Sequence, residues 1–129
     1  MTQTTDVDSG AAPERFLPLS PQVFQILLSL HEAPRHGYAV IQDVEVRTDG
    51  EMRLTASTLY DALARLVDQT LIERAPAPEG EGDSRRRYYR ITALGREVAA
   101  AEADRLTRLL GMARRVMPAS RIAGDRTPT

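Results

Sequence analysis

The hydrophobic pattern predicts a mainly α-helical chain that carries one small β-hairpin. Three observations lead to that expectation. Apolar residues recur at steps of three and four in four separate stretches. Two short runs rich in aliphatic or aromatic residues, Leu71–Arg74 and Arg85–Ile91, flank a loop holding Pro76, Pro78, Gly80 and Gly82. A last apolar stripe, from Ala93 to about Met117, has more face than one small domain can cover. The order helix, helix, short strand, helix, strand, loop, strand, helix is that of a winged helix-turn-helix followed by a C-terminal dimerisation helix. The expected divisions are a disordered arm over 1–17, the winged unit over 18–92, the pairing helix over 93–117 and a disordered tail over 118–129.

Each element has its own signal. Met1 to Arg15 is built from Thr, Asp, Ser, Gly, Ala and Pro and offers little to pack. Ser20-Pro21 opens a helix, serine as N-cap and proline at its first position. Val23, Phe24, Leu27, Leu28 and Leu30 give that helix a wide apolar face, and it ends before Pro34. His36-Gly37 opens a second helix, with Tyr38, Ile41 and Val44 at three-residue steps and Asp49-Gly50 as its stop. Met52 and Leu54 alternate with Glu51 and Arg53, which suits a very short strand. Thr55 or Ser57 caps the third helix. Its buried stripe of Leu59, Leu63 and Leu66 turns Ser57, Thr58, Asp61, Ala64 and Arg65 outward. Thr92 caps the fourth helix. Leu94 and Val98 begin its stripe, and Ala103, Leu106, Leu110, Ala113 and Met117 continue it as a short heptad seam.

Composition narrows the function. At 129 residues one domain is the default. A domain of that size buries only about two thirds of its unfolded surface, so pairing would add stability. No run is long and apolar enough to span a bilayer, and Met1 to Gly10 has neither the basic nor the apolar region of a secretory signal. The absence of cysteine excludes disulfides and thiolate metal sites and fits a cytoplasmic protein. Net charge is only −1, but four arginines cluster between Arg85 and Arg90, and distribution matters more than the sum.

The residues that carry chemistry are those of a nucleic-acid reader. A duplex major groove accepts one α-helix, entered by its N-terminal residues. Ser57, Thr58 and Tyr60 sit there; the competing roles are capping for the two hydroxyls and core packing for the tyrosine. Arg65 either reaches a phosphate or pairs with Asp61 or Asp68 on its own helix. Arg85, Arg86 and Arg87 can enter the minor groove or clamp the backbone, or else form a solvated charge run partly neutralised by Glu79, Glu81 and Asp83. Along the second strand Tyr89 and Ile91 share one face, Tyr88 and Arg90 the other, so one tyrosine is core and the other can touch phosphate. His31 and His36 have the wrong spacing for one helix face and read as structural. Neither a metal site, a cofactor loop nor a nucleophile–base set stands out, so no enzyme is expected.

At these residues a family resemblance becomes specific. The segments are Ile26–Leu30, Arg35–Ile41, Leu59-Tyr60 with Leu63 and Arg65-Leu66, Leu71–Glu73, Arg86–Thr92 and Gly95-Arg96. In that order they resemble the PadR family of bacterial transcriptional regulators, over about Leu19 to Ala100. The family often has glycine before its Leu-Ile strand, where this chain has Thr70, a poor substitute if φ is positive there. It often has proline where this chain has Asp61. The resemblance implies a homodimer paired through the C-terminal helix and helped by the first helix. It also implies double-stranded DNA with a dyad-symmetric operator as partner, a repressor's role, and a small aromatic or cationic effector. The alternative is a winged-helix protein-interaction module without specific DNA binding.

Overall fold

The computed structural model describes residues 12–80 and 86–117. A 3-10 turn at Pro13–Phe16 leads into α1 (Pro21–Glu32), β1 (Arg35–His36), α2 (Gly37–Arg47), α3 (Ala56–Asp68), β2 (Ile72–Ala75), β3 (Tyr88–Ile91) and α4 (Ala93–Val116). The strands form one antiparallel sheet in the order β1-β3-β2. Two features differ from the sequence expectation. The third strand is Arg35–His36, paired with Tyr89 and Tyr88, while Glu51–Leu54 forms no strand. The 3-10 turn lies within the stretch expected to be a disordered arm, and Phe16 and Leu17 pack on the core. The rest of the arm and the tail from 118 lie outside the described residues.

The helix starts are set by side chains that accept otherwise orphaned N–H groups. The Ser20 hydroxyl accepts from Val23 N at 3.1 Å, and His36 Nδ1 accepts from Ala39 N at 3.1 Å. Thr55 Oγ1 accepts from Thr58 N at 3.1 Å, which settles the cap of α3 on Thr55 and not Ser57. The core is aliphatic. Ile26, Leu27 and Leu30 of α1 meet Val40 and Val44 of α2, Leu59, Leu63 and Leu66 of α3, and Leu71, Ile72 and Val98, all buried. Each such side chain contributes about 1.5–3 kcal/mol on removal from water.

The turn from α3 into β2 carries strain. Thr70 has φ 61°, the left-handed region where a β-branched residue is disfavoured. The cost is about 1–2 kcal/mol, partly offset by the lower unfolded-state entropy of threonine relative to glycine. Thr70→Gly is expected to raise stability by about 0.5–1 kcal/mol, read as a Tm increase of a few degrees. A fall in Tm would mean that the contact of the Thr70 hydroxyl with the Gln69 carbonyl outweighs the backbone strain.

The same turn seats α4. Thr92 Oγ1 donates to the Thr70 carbonyl at 2.7 Å and accepts from Gly95 N at 3.0 Å, while Thr92 N donates to the Leu71 carbonyl at 3.1 Å. The long helix is thereby tied to the end of α3. None of the described helices is long and apolar enough to cross a membrane.

Candidate nucleic-acid interface

The outer face of α3 follows from its buried stripe. Because Leu59, Ala62, Leu63 and Leu66 face the core, Ser57, Thr58, Tyr60, Asp61, Ala64, Arg65 and Asp68 are exposed. With Thr55 taking the capping role, the hydroxyls of Ser57 and Thr58 make no hydrogen bond among the described residues. Tyr60 is half-exposed, and its ring end lies against Gly37 at the start of α2. A methyl group on Gly37 would come within 2.7 Å of Tyr60 Cζ, so glycine is what lets the Tyr60 ring lie against the start of α2. Among the described residues Arg65 makes no ion pair with Asp61 or Asp68, contrary to one of the two roles expected for it. It sits on the flank of α3 beside the 3-10 turn, at the rim of a cavity of about 160 Å³ lined also by Phe16, Leu19, Val23, Leu66 and Leu71.

The base of the hairpin lies on the other flank of α3. Register places Ile72 opposite Ile91 and Arg74 opposite Tyr89 on the face toward the helices, with Glu73 opposite Arg90 on the reverse face. Two expectations are corrected by this geometry. Tyr88 and Tyr89 are both buried, so Tyr88 is no phosphate ligand; its ring meets His36 edge-on at 5.2 Å between centroids. Arg90 lies on the face away from α3, where its Nε donates to Glu73 Oε2 at 2.7 Å. Arg86 is held near the start of α2, with Nη1 2.9 Å from His36 Nε2. Arg87 is exposed and lines a groove with Tyr60, Ala64, Val67, Asp68, Arg74 and Tyr89. Arg85 lies outside the described residues. Arg74 was not singled out from sequence. Its alternation with Ile72 was legible, but its nearness to α3 is a tertiary fact.

The apolar stripe of α4 divides along its length. Val98 is fully buried in its own domain and Leu94 packs on the same core, so neither belongs to a free seam. Beyond Glu102 the stripe is uncovered. Leu106, Leu109, Leu110, Met112, Val116 and Met117 are exposed, with Ala103 exposed and Ala113 half-buried among them. At the border stands a buried carboxylate. Glu102 Oε1 and Oε2 accept from Arg105 Nε and Nη2 at 2.9 and 2.6 Å, and Oε1 accepts from Leu19 N at 3.3 Å. Glu102 therefore fastens the segment before α1 to the middle of α4.

The Arg105 guanidinium, aided by the Leu19 N–H and against the effect of burial, holds the Glu102 carboxyl below its ordinary range. A depressed folded-state pKa means that the stabilisation is present above the unfolded value, about 4.3, and is lost as pH falls through the folded value. Glu102→Gln is expected to cost about 1–3 kcal/mol at neutral pH, with the difference from the unsubstituted protein shrinking below about pH 4. Denaturant titration at several pH values would check this; a difference independent of pH would remove the carboxylate's charge from the account.

The chain aligns with known proteins over this framework. The family model described as the transcriptional regulator PadR-like family matches residues 26–101. The uncharacterized protein X of Lysinibacillus sphaericus is 35% identical over 71 residues, which are 55% of this chain and 64% of that protein, so the match spans less than two thirds of it. A transcriptional regulator from Clostridium thermocellum shares the fold with a TM-score of 0.61 at 24% identity, over 88% of this chain and 97% of that one. A PadR family transcription regulator from Clostridium difficile also gives 0.61 at 24% identity, over 74% and 96%. The family match begins within α1, takes in α2, α3 and all three strands, and ends within α4. The chain therefore belongs to the PadR-like family of transcriptional regulators, which are regulators and not enzymes.

Proposed function

We infer that the chain binds double-stranded DNA as a homodimer, with α3 in the major groove and the hairpin against the adjacent backbone, and acts as a cytoplasmic repressor at a dyad-symmetric operator. The observation that carries this reading is the shared surface of α3 and the hairpin base. Ser57, whose hydroxyl is not used within the fold, stands three and seven residues before Tyr60 and Ala64, which line a groove with Arg74 and Arg87, while Thr58, its hydroxyl equally unused, turns toward the flank of Arg65. Small hydroxyl residues at a helix start allow close approach to base edges and phosphates. The uncovered apolar stripe of α4 beyond Glu102 supports the second copy. Repression follows from occupancy, since a dimer spanning successive turns of a promoter excludes other proteins from it.

Release by a small effector belongs to the same reading. The cavity of about 160 Å³ behind α3 has the size that holds one aromatic ring. Its wall includes Leu66 and its rim Arg65, so an occupant would bear directly on the reading helix.

The test is capture of bound fragments from the genome, followed by gel shift over a salt series. A symmetric site is expected, with log–log slope near −0.9 for each phosphate neutralised. If no captured fragment were shifted at moderate salt, the DNA reading would fall and the protein-interaction reading would take its place.

A further inference from the structure

The outward side of α3 is not uniformly basic. Its centre is small or acidic, with Ser57, Asp61, Ala64 and Asp68 at successive steps of four, three and four. Cations lie to the two sides. Arg65 occupies one flank. Across a groove of about 340 Å³ on the other flank lie Arg74 of β2 and Arg87 just before β3. Tyr60, Val67 and Asp68 form the helix wall of that groove, and Tyr89 lies beside Arg74. The side chain of neither Arg74 nor Arg87 makes a hydrogen bond or ion pair among the described residues, although Asp68 lines the same groove. On the reverse face of the same hairpin Arg90 is neutralised by Glu73.

The geometry points to a phosphate clamp: Arg74 and Arg87 together grip one backbone phosphodiester of the duplex strand that passes on the hairpin side of α3. This rests on the DNA reading above and adds Arg74 to it. A major groove in cross-section has a floor of base edges and two walls of phosphates, about 12 Å apart. A helix lying in it meets bases ahead and phosphates on both flanks. The order found across α3, basic, then small and acidic, then basic, is the complement of that section. Two guanidinium groups present planar forks of donors to one anion, which a single cation cannot match. A strand of DNA is favoured over a free anion as occupant because the groove opens beside Tyr60 and Ala64, on the side proposed to face the duplex.

The experiment uses the full chain and its captured operator, with ethylation interference and a salt series on the unsubstituted protein, Arg74→Ala, Arg74→Lys and Arg90→Ala. Arg74→Ala should weaken binding about tenfold and flatten the slope by about 0.9 per protomer. One phosphate per half-site whose ethylation blocks the unsubstituted protein should cease to matter to the variant. Arg74→Lys should keep the slope while losing affinity, and Arg90→Ala should change neither. An Arg74→Ala variant with unchanged slope and an unchanged interference pattern overturns the clamp while leaving DNA binding in place. Failure of the unsubstituted protein to bind any fragment overturns the DNA reading itself. Arg74 is exposed, so the far-UV circular dichroism should be unaltered; were it altered, Arg87→Ala faces the same two outcomes.

Discussion

Replacing Leu110 by glutamate is expected to turn the protein into a folded monomer that binds its operator about 10²- to 10⁴-fold more weakly. Leu110 is exposed on α4, at the middle of the uncovered stripe that runs from Leu106 to Met117. It takes no part in the buried core of its own domain, so the substitution should leave the helical signal intact. In a paired stripe it would bury a carboxylate from each copy without a partner. An uncompensated buried charge costs about 3–5 kcal/mol, enough to separate two short helices. The loss in DNA binding follows from effective concentration: two linked readers exceed one by that factor without any new contact. Light scattering and gel shift measure the two parts separately. An intact dimer would move the pairing surface elsewhere; a monomer that binds the operator as well as before would remove pairing from recognition.

Gly95→Ala is expected to lower stability by about 3 kcal/mol, a Tm drop on the order of 10 °C or more for a domain of this size. Alanine in a helix ordinarily gains about 1 kcal/mol over glycine, so the sign is the informative part. A Cβ on Gly95 would run into the Leu71 carbonyl oxygen and come within 2.7 Å of Ile91 Cγ1. The first of these is backbone and cannot swing aside. The helix start would have to lift from the α3–β2 turn, breaking the Thr92 contacts with Thr70 and Leu71. Thermal unfolding monitored at 222 nm gives the answer. A rise in Tm would show that α4 can shift on the turn without loss.

Much of the fold was legible because its starts and stops are local. Ser20, Thr92 and the threonine–serine run before Leu59 are capping signals that depend on a few neighbouring residues, and each helix began where they indicated. The errors came where the outcome depended on distant partners. A two-residue strand has no period, so Arg35–His36 could not be told from a loop, whereas the alternation of Met52 and Leu54 imitated a strand that has nothing to pair with. Strict alternation would expose Tyr88 if one face of the hairpin were bare. The edge contact with His36 shows that its side is occupied too. Within the candidate site, Ser57 and Thr58 were legible as outward residues once the Leu59 stripe was seen. The places of Arg74 and Arg90 were not, since both are exposed arginines on strands and only the register and the position of α3 separate them.

The fourth helix runs unbroken for 24 residues, a rod of about 36 Å. One end is locked to the reading unit by Thr92, and Glu102 braces it again before the free stripe begins. Such a rod acts as a ruler. In the dimer proposed above, the separation and rotational phase of the two reading heads would be fixed by the protein rather than adjusted to the site. Inserting one base pair at the centre of the operator turns one half-site by roughly 35° about the duplex axis. That is a rotation a flexible tether would absorb and a braced rod would not.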